Sequence, residues 1–119
     1  MKLPSGKKRK QLSDTELEQR LGRERLDGLS LARFGAVMIG DAVLSGRLVA
    51  DMMFRVEPDM NVPFSGWTFI SSEKPDDNVD MHDCLGILRV APEVAQYLDL
   101  PPGTEMSRVS DTKFEVDNE

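Results

Sequence analysis

The chain has 119 residues, of which 39% are hydrophobic and 30% charged. That length corresponds to one domain with one core. Its net charge of -6, from 21 acidic and 15 basic side chains, argues against a nucleic-acid binder. No apolar run approaches the roughly 18 residues of a membrane span, and the charged start lacks the apolar stretch of a secretory signal. With a single cysteine, Cys84, no internal disulfide can form. A cytoplasmic protein is therefore expected, with no membrane partner.

The charge is unevenly divided. Residues 1–40 carry nine Lys/Arg and five Asp/Glu, whereas residues 41–119 carry six and sixteen. Much of the basic excess lies in Lys2, Lys7, Lys8, Arg9 and Lys10. Residues 1–12 read as a solvated, disordered tail. Residues 13–34 form a helix and its connection, and 35–119 form a single acidic domain.

In chain order, Ser13-Asp14-Thr15-Glu16 has the pattern of a capping box. It predicts a helix over about 14–27 that ends at Gly28 and lies on the surface, because its apolar stripe is narrow. Ala36–Ile39, between two glycines, reads as a buried strand. Residues 47–56 alternate as a strand with Leu48, Ala50, Met52, Phe54 and Val56 on one face. Residues 57–63 contain two prolines and form a loop. Gly66–Ile70 is aromatic and β-branched and predicts a strand. Residues 71–83 read as a polar, acidic loop. Leu85–Val90 is apolar on both faces and predicts a central strand. Pro92 suits the first turn of a short helix, followed by strands over about 104–109 and 112–116. Five or six short strands with two helices, and no regular βαβ alternation, give an α+β fold with a mainly antiparallel sheet.

Signals for chemistry are sparse. Asp80, His82, Asp83 and Cys84 lie close together, but their spacing matches no compact zinc pattern. Cys84 is read as a small core hydrophobe. His82 is too near in sequence to serve it as a base, since nucleophile and base usually come from separate segments. No glycine-rich dinucleotide fingerprint or phosphate loop is present. No catalytic residue, cofactor or metal is expected. Trp67, the sole Trp, fits core packing, with a binding-surface anchor as the alternative. Met38, Met52, Met53, Met60 and Met81 are scattered and read as core filler, with an adaptable contact surface as the alternative.

Phe54-Arg55-Val56-Glu57-Pro58-Asp59, then Ser65-Gly66-Trp67-Thr68-Phe69-Ile70-Ser71, resemble a bacterial family. The likeness continues through Leu85-Gly86-Ile87 and Pro92-Glu93-Val94 to Leu98-Asp99-Leu100-Pro101-Pro102-Gly103-Thr104. It covers about residues 36–109. The family is the thirty-third numbered immunity-protein family of polymorphic-toxin systems, formerly a domain of unknown function. The chain departs from it at Ile70-Ser71-Ser72, where members often have Phe-Ser-Gly. The resemblance implies a small, non-catalytic cytoplasmic protein that binds and neutralises a cognate toxin. It confers no catalytic residues.

An acidic body steers a basic partner toward it, and a nuclease toxin must be basic to hold phosphates. The expected partner-binding set is Glu57, Asp59, Trp67, Glu73, Asp76, Asp77, Asp80 and Asp83. The alternative function is a housekeeping module that binds a protein or a small ligand.

Overall fold

A computed structural model describes residues 9–58, 61 and 63–117. The capping box forms as expected. The Ser13 side chain accepts from the Glu16 amide at 3.1 Å, and the Glu16 carboxylate accepts from the Ser13 amide at 2.9 Å. The helix does not run on to residue 27, however. It divides into α1 (Asp14–Leu21) and α2 (Arg23–Gly28) at Gly22, whose φ of 86° breaks the helical path. As expected, α1 lies at the surface of the body: Leu17 is its one buried residue, 1% exposed, and joins the main core together with Leu29. The expected tail is anchored from residue 9 onward. The Arg9 amide donates to the Gly46 carbonyl, and the Leu12 amide to that of Arg89, both at 2.8 Å. Residues 1–8 lie outside the described residues.

Among the described residues the sheet has six strands: β1 (Ala36–Gly40), β2 (Met52–Arg55), β3 (Phe64–Ile70), β4 (Val79–His82), β5 (Glu105–Arg108) and β6 (Phe114–Val116). Their spatial order is β4-β1-β3-β2-β5-β6, with only β1 and β3 parallel. This is the small, mainly antiparallel α+β fold that the sequence predicts. Two short helices, α3 (Asp41–Leu44) and α4 (Cys84–Leu88), and the 3₁₀ helix Pro92–Tyr97 complete it.

Three expectations need correction. Leu85–Leu88 is not a central strand but most of α4, whose N-terminus Asp83 caps by accepting from the Leu85 amide at 2.9 Å. Gly86 lets that helix pack closely: a Cβ there would lie 3.2 Å from Leu44 Cδ1 and 3.4 Å from Ile39 Cδ1. Residues 71–83 are not all loop, because 79–82 pair with β1 as an edge strand. The strand over 47–56 shrinks to β2, and its faces are the reverse of those expected. Met53 is fully buried between Phe69 and Met106, while Met52 is 36% exposed.

All the helices pack on one face of the sheet. Val37, Ile39, Met53, Trp67, Phe69, Met106 and Phe114 point to that side and share a single core with α1, α4 and the 3₁₀ helix. Two arginines point there as well. Arg55 donates to the carbonyls of Ser65, Leu98 and Leu100, and it lies over the rings of Phe34 and Trp67. Arg108, with a side chain 2% exposed, donates to Ala50, Ser110 and Asp111 carbonyls and to Glu93. Glu93 also holds Arg9 at 3.0 Å, so one carboxylate ties the N-terminal segment to β5 and to the 3₁₀ helix.

Candidate functional site

The acidic segment between β3 and β4 is built from turns. The buried Ser71 side chain accepts from the Glu73 amide at 3.2 Å, and the Asp51 carboxylate accepts from the Ser72 amide at 2.8 Å. The Lys74 amide then bonds back to Ser71, and the Asp77 amide to Lys74. The chain next enters β4, whose residues Asp80 and Val79 pair with Ile39 and Gly40.

These turns sort the acidic residues into two groups. Glu73, Asp76 and Asp80 are exposed, and none of the three carboxylates is committed to a helix cap. Asp77 is half-buried, and its Oδ2 accepts from the Ala42 amide at 2.8 Å, capping α3 from a distant part of the chain. Asp83 is exposed but caps α4. Sequence reasoning grouped all five as one surface; two of them hold helices in place.

Glu57 does not join this group. Met52 opposes Ile70 at one end of the β2–β3 pair and Arg55 opposes Trp67 at the other. Glu57 therefore lies beyond one end and Glu73–Asp77 beyond the other, with β4 three strands away from β2. That lateral offset is about 14 Å at ~4.8 Å per strand. Asp59 lies outside the described residues. Trp67 is no surface anchor: it is fully buried, and its Nε1 donates to the Leu98 carbonyl at 3.0 Å.

Cys84 is buried, and burial first, then the Asp83 charge, push its thiol up to about 12. At neutral pH it stays a thiol and is a poor nucleophile. Among the described residues, no three His, Cys, Asp or Glu side chains converge to hold a metal ion. The surface depressions are open. One, between Arg9, Lys10, Arg20 and Arg89, looks cationic. However, Arg9 is paired with Glu93, Lys10 with Glu16 and Arg89 with Asp14. Another is lined by Phe54, Arg55, Glu57, Pro102 and Glu105, so that an arginine stands beside the two acidic residues.

Among the described residues, no helix is long and apolar enough to cross a membrane. No family model matches the chain, and no curated protein or solved structure matches it.

Proposed function

We propose that the protein is a non-catalytic immunity protein that binds and neutralises a cognate basic toxin through its acidic surface. The observation that carries this reading is the row of exposed carboxylates Glu73, Asp76 and Asp80, which leads from the β3–β4 turns onto the edge strand. Because they cap no helix, they are available to a partner. Carboxylates so placed raise association rates with a cationic protein, by roughly 10–10³-fold in favourable cases. A nuclease toxin, cationic because it grips phosphates, is the partner class of that chemistry. The cytoplasm of the producing cell is where such a toxin must be met.

The test is co-purification with the product of the adjacent gene, followed by a rescue-from-toxicity assay and affinity measured against salt. The triple variant Glu73→Gln, Asp76→Asn, Asp80→Asn should bind at least 10-fold more slowly at low salt and lose most of its salt dependence. Unchanged binding by that variant, or no rescue by the native chain, refutes the reading.

A further inference from the structure

We propose that the uncovered face of the sheet docks a cationic amphipathic segment of a protein partner. This rests on the reading of the chain as a binder of a basic protein, and adds to it which surface grips the partner and what that partner must present.

The strand register lays out the face opposite the helices. One row runs Met81–Met38–Thr68–Phe54–Glu105 across five strands. The neighbouring row contains Val79 beside Gly40, and Ile70–Met52–Ser107–Glu115. Met52 and Met81 are 36% and 43% exposed. Met38, Phe54, Ile70 and Val79 are half-buried, yet none of them belongs to the core or packs against it. Every helix residue of the core lies on the other side. This face is thus apolar and rich in methionine, and among the described residues no helix lies over it. Methionine side chains are flexible and polarizable, which suits a surface that must adapt to a partner.

Charge identifies that partner. Among the strand residues, Arg55, Arg108, Asp80 and His82 fall on the helix-side register, and both arginines are bound to backbone carbonyls there. The charged strand residues on the open face are Glu105 and Glu115, both exposed. The Asp117 carboxylate accepts from Ser107 on the same row, and Glu57 shares a depression with Phe54, Glu105 and Arg55, whose guanidinium donates to the Ser65, Leu98 and Leu100 carbonyls. The face therefore runs from apolar at β4, β1, β3 and β2 to anionic at β5 and β6. From Met81 to Glu105 is roughly 19 Å, about three to four turns of helix. An amphipathic helix with apolar side chains at one end and Lys/Arg at the other matches it in length and sign. A second copy does not, because each chain carries -6 and the two would repel.

The test uses the full chain labelled at its methionine methyl groups. The probe is a synthetic 14-residue amphipathic peptide with leucines concentrated toward one end and lysines toward the other, compared with a Leu/Glu version and a lysine-only peptide. With the Leu/Lys peptide, the Met38, Met52 and Met81 resonances should shift, while those of the buried Met53 and Met106 should not. Met52→Glu and Met81→Glu should each weaken binding at least 10-fold. Glu105→Gln with Glu115→Gln should weaken it several-fold at low salt and little at high salt. Undiminished Trp67 fluorescence would show that these variants fold. The proposal is overturned if the peptide fails to bind, if the Leu/Glu version binds equally, or if the methionines shift with chain concentration alone. Binding that moves only residues 73–80 would refute this face and leave the basic-partner reading standing. Docking without rescue from the toxin would do the reverse.

Discussion

Glu93→Ala should be among the most destabilising single substitutions available in this protein. The Glu93 side chain is 9% exposed and is shared by Arg108 at 2.8 Å and Arg9 at 3.0 Å. Removing it leaves the Arg108 guanidinium, 2% exposed, beside the Arg9 cation, with carbonyl dipoles, the Phe114 ring 4.5 Å away and the Asp111 charge as its remaining compensation. Burial already lowers the Arg108 pKa, and the bond to Glu93 is the main influence opposing that shift. Breaking one side of a buried pair costs about 3–5 kcal/mol, because a charge is left without its counterion. Arg9→Ala should cost far less, about 1 kcal/mol, since Arg9 is 19% exposed and its loss leaves Glu93 still paired with Arg108. Glu93→Gln, which keeps an acceptor and loses the charge, should fall between the two. The assay is urea unfolding followed by the fluorescence of Trp67, which is fully buried and reports directly on the core. With total stability of about 5–15 kcal/mol, the variant should retain a folded baseline or just lose it. A cost below about 1 kcal/mol for Glu93→Ala, or equal costs for Glu93→Ala and Arg9→Ala, would refute the account of the pair as the link that holds the N-terminal segment to β5.

The two groups of acidic residues should separate in the same assay. Asp77→Ala and Asp83→Ala should each lose about 1 kcal/mol of capping energy. Asp76→Asn and Asp80→Asn should stay within about 0.5 kcal/mol of the native chain. Gly66→Ala should cost at least about 1–3 kcal/mol: φ is 96°, and an added Cβ would lie 2.2 Å from the Val56 carbonyl oxygen, so β2 would have to move. Labelling of Cys84 by a thiol reagent should be slow in the native state up to pH 9, because its thiol titrates near 12, and fast in urea. Rapid native labelling at pH 8 would show that the cysteine is not the buried group described.

The parts of the fold that could be read from the sequence are those where local chemistry and packing agree. The Ser13/Glu16 box, the run Ala36–Ile39 and the Gly66–Ile70 part of β3 carry their signals in adjacent residues. The misreadings occur where packing overrides them. Gly86 weakens the helical propensity of Leu85-Gly86-Ile87-Leu88, and its apolar residues fill both faces. Its helical state depends on Asp83, a cap that could have been recognised, and on close contact with Leu44 and Ile39, which no local pattern announces. Over residues 47–56 both parities contain apolar residues, so alternation alone could not choose a face. The choice falls to Phe69 and Met106, which sandwich Met53 and lie far away in sequence. Val79-Asp80-Met81-His82 did alternate with period two, but its acidic surroundings masked the strand.

For the candidate site, the sequence located the charge but not its roles. Counting acidic residues cannot separate Asp77, which caps α3 across 35 positions, from Asp76, which does not. It also cannot reveal which cations are withdrawn from the surface. Burying Arg108 and largely enclosing Arg55 leave the net charge at -6, and the long-range field keeps its sign. What changes is contact. Their N–H donors are spent on the carbonyls of Leu100, Ala50 and Asp111, on the far side of the sheet from Glu105 and Glu115. A partner arriving at the open face therefore meets methionines, Phe54 and the Glu105 and Glu115 carboxylates, while the Arg55 and Arg108 donors are held by carbonyls. With the two arginines turned into the core, the charged strand residues of the opposite face are Glu105 and Glu115 alone.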